Sequence, residues 1–203
     1  MRSKKIYILR HGETEFNKRG IVQGKGIDSS LNERGREQRQ AFFEAYKNIP
    51  FDIVYTSVLK RTVETIQPFL ELGIPAEQYE ALNEIGWGVH EGRSNAEQGD
   101  FFEKALAQWR QGNTDLSLEG GESPNEVQAR LKSFTQKLIA GKEETILICS
   151  HGRAMRIFLC HLLHYPLSCM DAFPHANTGL YLLHYHNTFS AALYNDISHL
   201  TND

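Results

Sequence analysis

The sequence predicts an α/β fold with an open sheet, and three observations carry that prediction. Two short apolar runs, Ile6-Tyr7-Ile8-Leu9 and Ile146-Leu147-Ile148-Cys149, have the uninterrupted hydrophobicity of strands buried on both faces. Each run leads into a histidine followed by glycine, through Arg10-His11-Gly12 and Ser150-His151-Gly152. Between them, apolar residues at helical spacing alternate with further strand-like runs, the pattern of crossover connections. In open α/β sheets ligands bind beyond the carboxyl ends of the strands, so two imidazoles delivered to that edge can meet at one site.

The remaining elements follow in chain order. After the first strand, a glycine-containing loop over 20–26 precedes Asp28-Ser29-Ser30, with Asn17 and Gln23 as donors able to approach an anion. Leu31, Gln38, Phe42, Ala45 and Ile49 mark a helix interrupted by Gly35 and ended by Pro50, and Ile53-Val54-Tyr55 is the next strand. Thr56-Ser57 follows it. Leu59, Val63, Ile66 and Leu70 then predict a helix that stops at Gly73 and Pro75, with a kink at Pro68. Phe101, Phe102, Ala105 and Trp109 suggest a further helix, with Trp109 in the core. Ser123, Pro124 and Glu126 form a helix start: N-cap, first helical position and capping-box partner. The second His-Gly strand feeds an apolar helix through Ile157, Leu159, Leu162 and Leu163, and the tail alternates as two strands joined at Asn187-Thr188.

A chain of 203 residues suits one domain over 1–203, with a helical insertion at about 88–140. The formal charge of −3 gives no global attraction for a polyanion, which excludes nucleic acid as the expected partner and makes any anion site local. The apolar run after the basic Met1–Lys5 stretch is too short for a signal peptide, and nothing approaches a membrane span, so a cytoplasmic setting is expected. Cys149, Cys160 and Cys169 lack metal or disulfide spacing and read as reduced, mostly buried thiols. His161 and His164 have no acidic or cysteine companion at ligand spacing, so no metal is expected. Oligomeric state is not legible.

The chemistry points to phosphate. Arg10 beside His11 is costly to bury without an anion. Arg61 sits in the first turn of a helix, where a cation opposes the macrodipole unless a bound anion faces both; pairing with Glu64, three residues on, is the alternative. Leu82–Ser94 holds two carboxylates, Glu84 and Glu91. Glu84 lies between Leu82 and Ile85 with Trp87 nearby, the more enclosed setting, where desolvation favours the protonated form and a role as proton donor.

Arg10-His11-Gly12-Glu13-Thr14 with Asn17, the segment from Ser57 to Thr65, Glu84, and Ser150-His151-Gly152 together resemble the histidine phosphatase superfamily, the phosphoglycerate mutase-like fold. The four blocks are ordered along nearly the whole chain. The resemblance implies a three-layer α/β/α sandwich with a mostly parallel central sheet. It also implies that His11 becomes phosphorylated, that Arg10, Arg61 and His151 hold the phosphoryl group, and that Glu84 is the proton donor. Asn17, Gln23, Gly24 and Gly152 would line the substrate pocket, and no cofactor is implied. Mutases of the family typically continue Asn83-Glu84 with Arg-His-Tyr, where this chain has Ile85-Gly86-Trp87, and they carry a longer basic insertion. The expectation is therefore a metal-independent phosphatase of a small phosphorylated metabolite. A phosphoglycerate mutase and a non-catalytic phospho-ligand binder are the alternatives.

Overall fold

The computed structural model describes residues 3–200, apart from the side chains of Asn95 and Phe101. Its centre is a six-stranded sheet built from β1 (Lys4–Arg10), β2 (Ile53–Thr56), β3 (Ala76–Gln78), β4 (Thr145–Ser150), β5 (Leu180–His186) and β6 (Thr188–Asp196), in the order β3-β2-β4-β1-β5-β6. The first four strands of that order are parallel, while β5 and β6 are antiparallel to their neighbours. The sheet is mostly parallel, as expected.

The central strands β1, β2 and β4 are largely apolar because both of their faces are covered, whereas β3 and β6 at the sheet edges are mostly exposed. Ile6 and Ile8 of β1 point into one core with Ile146 and Ile148, whereas Tyr7 and Leu9 point into the other with Leu147 and Cys149. On the first face lie α4 (Asn95–Arg110), α5 (Pro124–Ala140) and α6 (Gly152–Leu162), contributing Trp109, Leu131, Phe134 and Phe158. On the second, after the single-turn α1 (Glu15–Lys18) that follows β1, lie α2 (Glu33–Tyr46) and α3 (Lys60–Glu71), contributing Phe42, Ile66 and Phe69. Three layers result. Each fully buried Ile, Leu or Phe contributes roughly 1.5–3 kcal/mol of transfer free energy, and the strands share that burial with the helices of both layers.

Local signals explain most boundaries. Ser123 caps α5 with Pro124 at its start and Glu126 closing the capping box, as read from the sequence. Asn32 caps α2, so Leu31 precedes the helix and Ile49 follows it; Ala45 is exposed, and the buried face runs through Gly35, Gln38 and Phe42. In α3 the buried face is Arg61, Thr62, Thr65, Ile66 and Phe69, rotated from the expected Val63 and Leu70 stripe. Its amino end is given over to polar contacts, which an apolar period cannot register. Pro68 has no N–H for the Glu64 carbonyl, and Arg39 Nη1 donates to that oxygen instead at 3.4 Å. The segment over 88–140 divides in two: α4 packs over the first core, while α5 feeds directly into β4. Cys149 and Cys160 are buried free thiols and Cys169 is an exposed one. Among the described residues no helix is long and apolar enough to cross a membrane.

Candidate active site

The register of the sheet brings the two His-Gly steps together. Arg10 is the strand partner of Ser150, so β1 and β4 end side by side, and the His11 and His151 rings stand 5.2 Å apart between centroids. The turn after β1 is tight: Gly12 N donates to Thr65 Oγ1 at 2.9 Å, and a Cβ on Gly12 would meet the Gly35 carbonyl at 2.7 Å. Gly35 in turn leaves room for the Glu13 backbone. The glycine that breaks the α2 pattern is therefore what lets the helix approach the histidine loop.

His11 is buried, and its Nδ1 lies 2.7 Å from the Gly12 carbonyl. A carbonyl only accepts, so Nδ1 carries the hydrogen and Nε2 keeps its lone pair. Burial, then Arg61 and Arg10, push the imidazole well below its usual range, and it is neutral at physiological pH. Arg10 donates through Nη1 to the His175 carbonyl at 2.6 Å, while its Nε is buried without a partner among the described residues. Desolvation, countered by Glu84, brings Arg10 down to about 10, so it stays charged.

Arg61 is fully buried and donates to His151 Nδ1 (3.1 Å), the Ile27 carbonyl (2.6 Å) and the Gly24 carbonyl (3.2 Å). It does not pair with Glu64, whose Oε2 accepts from Leu31 N at 2.8 Å. Because His151 Nδ1 accepts, its Nε2 carries the hydrogen and donates to Ser57 Oγ at 2.8 Å. His151 is likewise held neutral by burial and by Arg61. Glu84 closes the cluster: its Oε1 accepts from Ile85 N (2.9 Å) and Ala154 N (2.8 Å), and its Oε2 from Arg153 N (3.1 Å). The carboxylate thus caps the amino end of α6, where the peptide dipoles favour negative charge. Glu91, the other acid of that loop, accepts from Trp87 N at 3.0 Å and packs against Gly24.

Above these groups opens a cavity of about 350 Å³ whose wall includes Arg10, His11, Asn17, Gln23, Glu84 and Gly152. Asn17 Oδ1 is taken by Thr14 and Asn177, which leaves its amide NH2 to offer an anion. Gln23 is fixed by Thr14 and Ser29. Gly24 differs from expectation: it is not on the wall but supports Arg61 through its carbonyl. Arg61 and His151, beside His11, are also absent from the wall. Sequence reasoning passed over Arg153, Arg156, His175 and Asn177, which share that wall with Trp87 and Phe102. Arg153, like Arg61, is a cation in the first turn of a helix, where it opposes the macrodipole, and that placement is a signal in the sequence.

A neutral buried imidazole with a lone pair toward the cavity, next to an unpartnered guanidinium nitrogen, accompanies a family match over residues 6–197 to the model described as the histidine phosphatase superfamily (branch 1). The chain belongs to that superfamily. A mouse (Mus musculus) relative, 6-phosphofructo-2-kinase/fructose-2,6-bisphosphatase 1, is 34% identical over 162 residues, 79% of this chain and 33% of its own length. The chain thus spans about a third of that relative. Probable phosphatase C1687.21 of Schizosaccharomyces pombe is 30% identical over 78% of this chain and 73% of its own. Among solved structures, Bacillus stearothermophilus YhfR is similar with a TM-score of 0.86 at 28% identity, covering 97% of this chain and 99% of its own. A mycobacterial glucosyl-3-phosphoglycerate phosphatase shares the fold with a TM-score of 0.84 at 24% identity, over 96% and 99% of the two chains.

Proposed function

We propose that this chain is a phosphomonoester hydrolase that works through a phosphohistidine on His11 and acts on a small phosphorylated metabolite. The observation that carries the reading is the state of His11: neutral, fixed by the Gly12 carbonyl, and flanked by Arg10, whose Nε has no partner among the described residues. In the first step His11 Nε2 attacks phosphorus as the ester P–O bond breaks, and the proton that the phosphomonoester monoanion brings in passes through Glu84 to the departing alkoxide. Its Oε2, with one backbone donor against two on Oε1, is the oxygen with room for that proton. In the second step the Glu84 carboxylate takes a proton from water, whose oxygen attacks phosphorus, and the P–N bond breaks to release phosphate and restore His11.

Phosphoryl transfer depends on positioning and on charge stabilisation of the equatorial oxygens. Arg10 supplies that directly, and Arg61 adds positive charge from behind while His151 orients it. Asn17, Gln23 and Gly152 line the rest of the phosphoryl end, and Gly24 acts through Arg61. Guanidinium groups do here what a metal ion does elsewhere. The reading treats 1–203 as one cytoplasmic domain in which α4 reaches the cavity through Phe102. The test is release of inorganic phosphate from an aryl phosphate in the presence of chelator. His11→Ala is expected to lower kcat by at least about a thousandfold, on the scale of a lost covalent nucleophile. Equal, negligible rates in both proteins would leave a binding module.

A further inference from the structure

The cavity is larger than a phosphoryl group requires, since about 350 Å³ corresponds to roughly ten water volumes. One corner of it has more positive charge than its own carboxylates offset. Asp171 Oδ1 accepts from Arg153 Nη1 at 2.6 Å and from Arg156 Nη1 at 2.9 Å, and Oδ2 accepts from Arg110 at 3.3 Å. Arg110 is half exposed and solvated, but the Arg153 and Arg156 side chains are only 10% and 13% exposed. Two nearly buried guanidinium groups therefore share one carboxylate, and an uncompensated buried cation is unfavourable. The neighbouring His175 imidazole is neutral and adds no negative charge.

The two arginines differ in what they have left to offer. Arg156 is committed, with Nε on the Phe173 carbonyl (3.0 Å), Nη1 on Asp171 and Nη2 on His175 Nδ1 (2.5 Å). Arg153 is not: among the described residues its side chain makes one hydrogen bond, to Asp171, and keeps Nε and Nη2 for a ligand. It is also held in place, with its guanidinium 6.0 Å from the Trp87 ring centre and 5.6 Å from that of Trp109. A donor fork fixed before the ligand arrives has little entropy to lose on binding.

Resting on the hydrolase reading above, we infer that Arg153 is a specificity-determining residue that binds a second anionic group, a carboxylate or a second phosphate, on the leaving-group side of the substrate. Its backbone N–H holds the acid Glu84 while its side chain faces the same cavity, so one residue ties the leaving group's charge to the group that protonates it. The substrate class is then phosphomonoesters whose alcohol portion is itself an anion.

Calorimetric binding to the His11→Ala protein tests this without requiring turnover. Three probes share a three-carbon skeleton: glycerol 3-phosphate, 3-phosphoglycerate and propane-1,3-diol bisphosphate. At least one of the two doubly anionic probes should bind about tenfold tighter than glycerol 3-phosphate, as one charge-assisted hydrogen-bonded pair allows. Which of them gains distinguishes carboxylate from phosphate. Arg153→Met in the same background keeps an aliphatic stem against the tryptophans; it should abolish the preference, so that the three probes bind within about twofold of one another. Equal affinities for all three probes, or a preference that survives Arg153→Met, would overturn the inference. Absence of aryl phosphate hydrolysis in the His11-containing protein, with the preference intact, would instead remove the hydrolase reading and leave the anion subsite.

Discussion

His11 is a nucleophile because of what surrounds it rather than what it is. An imidazole in water is half protonated near pH 6.5, and its protonated form cannot attack. Burial and two guanidinium groups lower its affinity for the proton, so the reactive form persists in mild acid. The acid-side fall of kcat/KM for an aryl phosphate that imidazole protonation sets is therefore expected well below pH 6.5. A fall centred at 6.5 would show that His11 titrates as a free histidine. A second residue acts at one remove. Arg130 donates to the carbonyls of Ala81 (2.7 Å) and Glu84 (3.1 Å), and it pairs with Glu122, whose Oε2 also accepts from Gly86 N at 2.8 Å. It is a positioning residue for the acid loop, so Arg130→Met should lower kcat about tenfold with a smaller change in KM, because only proton delivery is misaligned. A change confined to KM would place Arg130 in binding instead.

At the scale of elements, the strand ends were legible and the helix faces only partly so. An apolar run closed by His-Gly specifies a strand and its carboxyl end, and β1 and β4 lie where the sequence put them. The α3 face was misread because Thr62 and Thr65 are buried through hydrogen bonds, to the Leu59 and Arg61 carbonyls, and polar residues do not enter an apolar period. Gly35 was seen as an interruption, whereas its role is visible only once the Glu13 backbone lies against it. Gly35→Ala should therefore cost about 1–3 kcal/mol by overpacking and also depress turnover, since the displaced backbone leads to His11. Urea unfolding and aryl phosphate assays measure the two effects. Ser123→Ala is the contrast: it removes an N-cap of α5, remote from the histidine loop, and should cost about 1 kcal/mol of stability while leaving kcat unchanged.

At the scale of the whole molecule, several separate parts of the chain converge on the cavity, and the sequence showed three of them, the two His-Gly steps and the acid loop with Glu84. The steps after β1 and β4 carry paired motifs; the stretch before β5, with Asp171, His175 and Asn177, arrives from another direction and carries no pattern, so only the closed fold reveals it. The convergence has a global consequence. His11, His151 and His175 are all held neutral by burial and neighbouring arginines, His175 down to about 3. In the unfolded chain each regains an ordinary value near 6.5. Below that pH the unfolded state binds protons that the folded state refuses, so the contribution of these groups is complete above about pH 6.5 and is lost as pH falls. Each such imidazole removes about 1.4 kcal/mol per pH unit once the pH is well below 6.5. The carboxylates Asp171 and Glu122, whose folded values are lowered by arginine partners, add their own loss only nearer pH 4. Unfolding free energies measured by urea titration should thus decline between pH 6.5 and 5, before carboxylate protonation begins. His175→Gln should make that decline shallower by about one proton's share, and a free energy constant from pH 7.5 to 5 would contradict the neutral state assigned to all three rings.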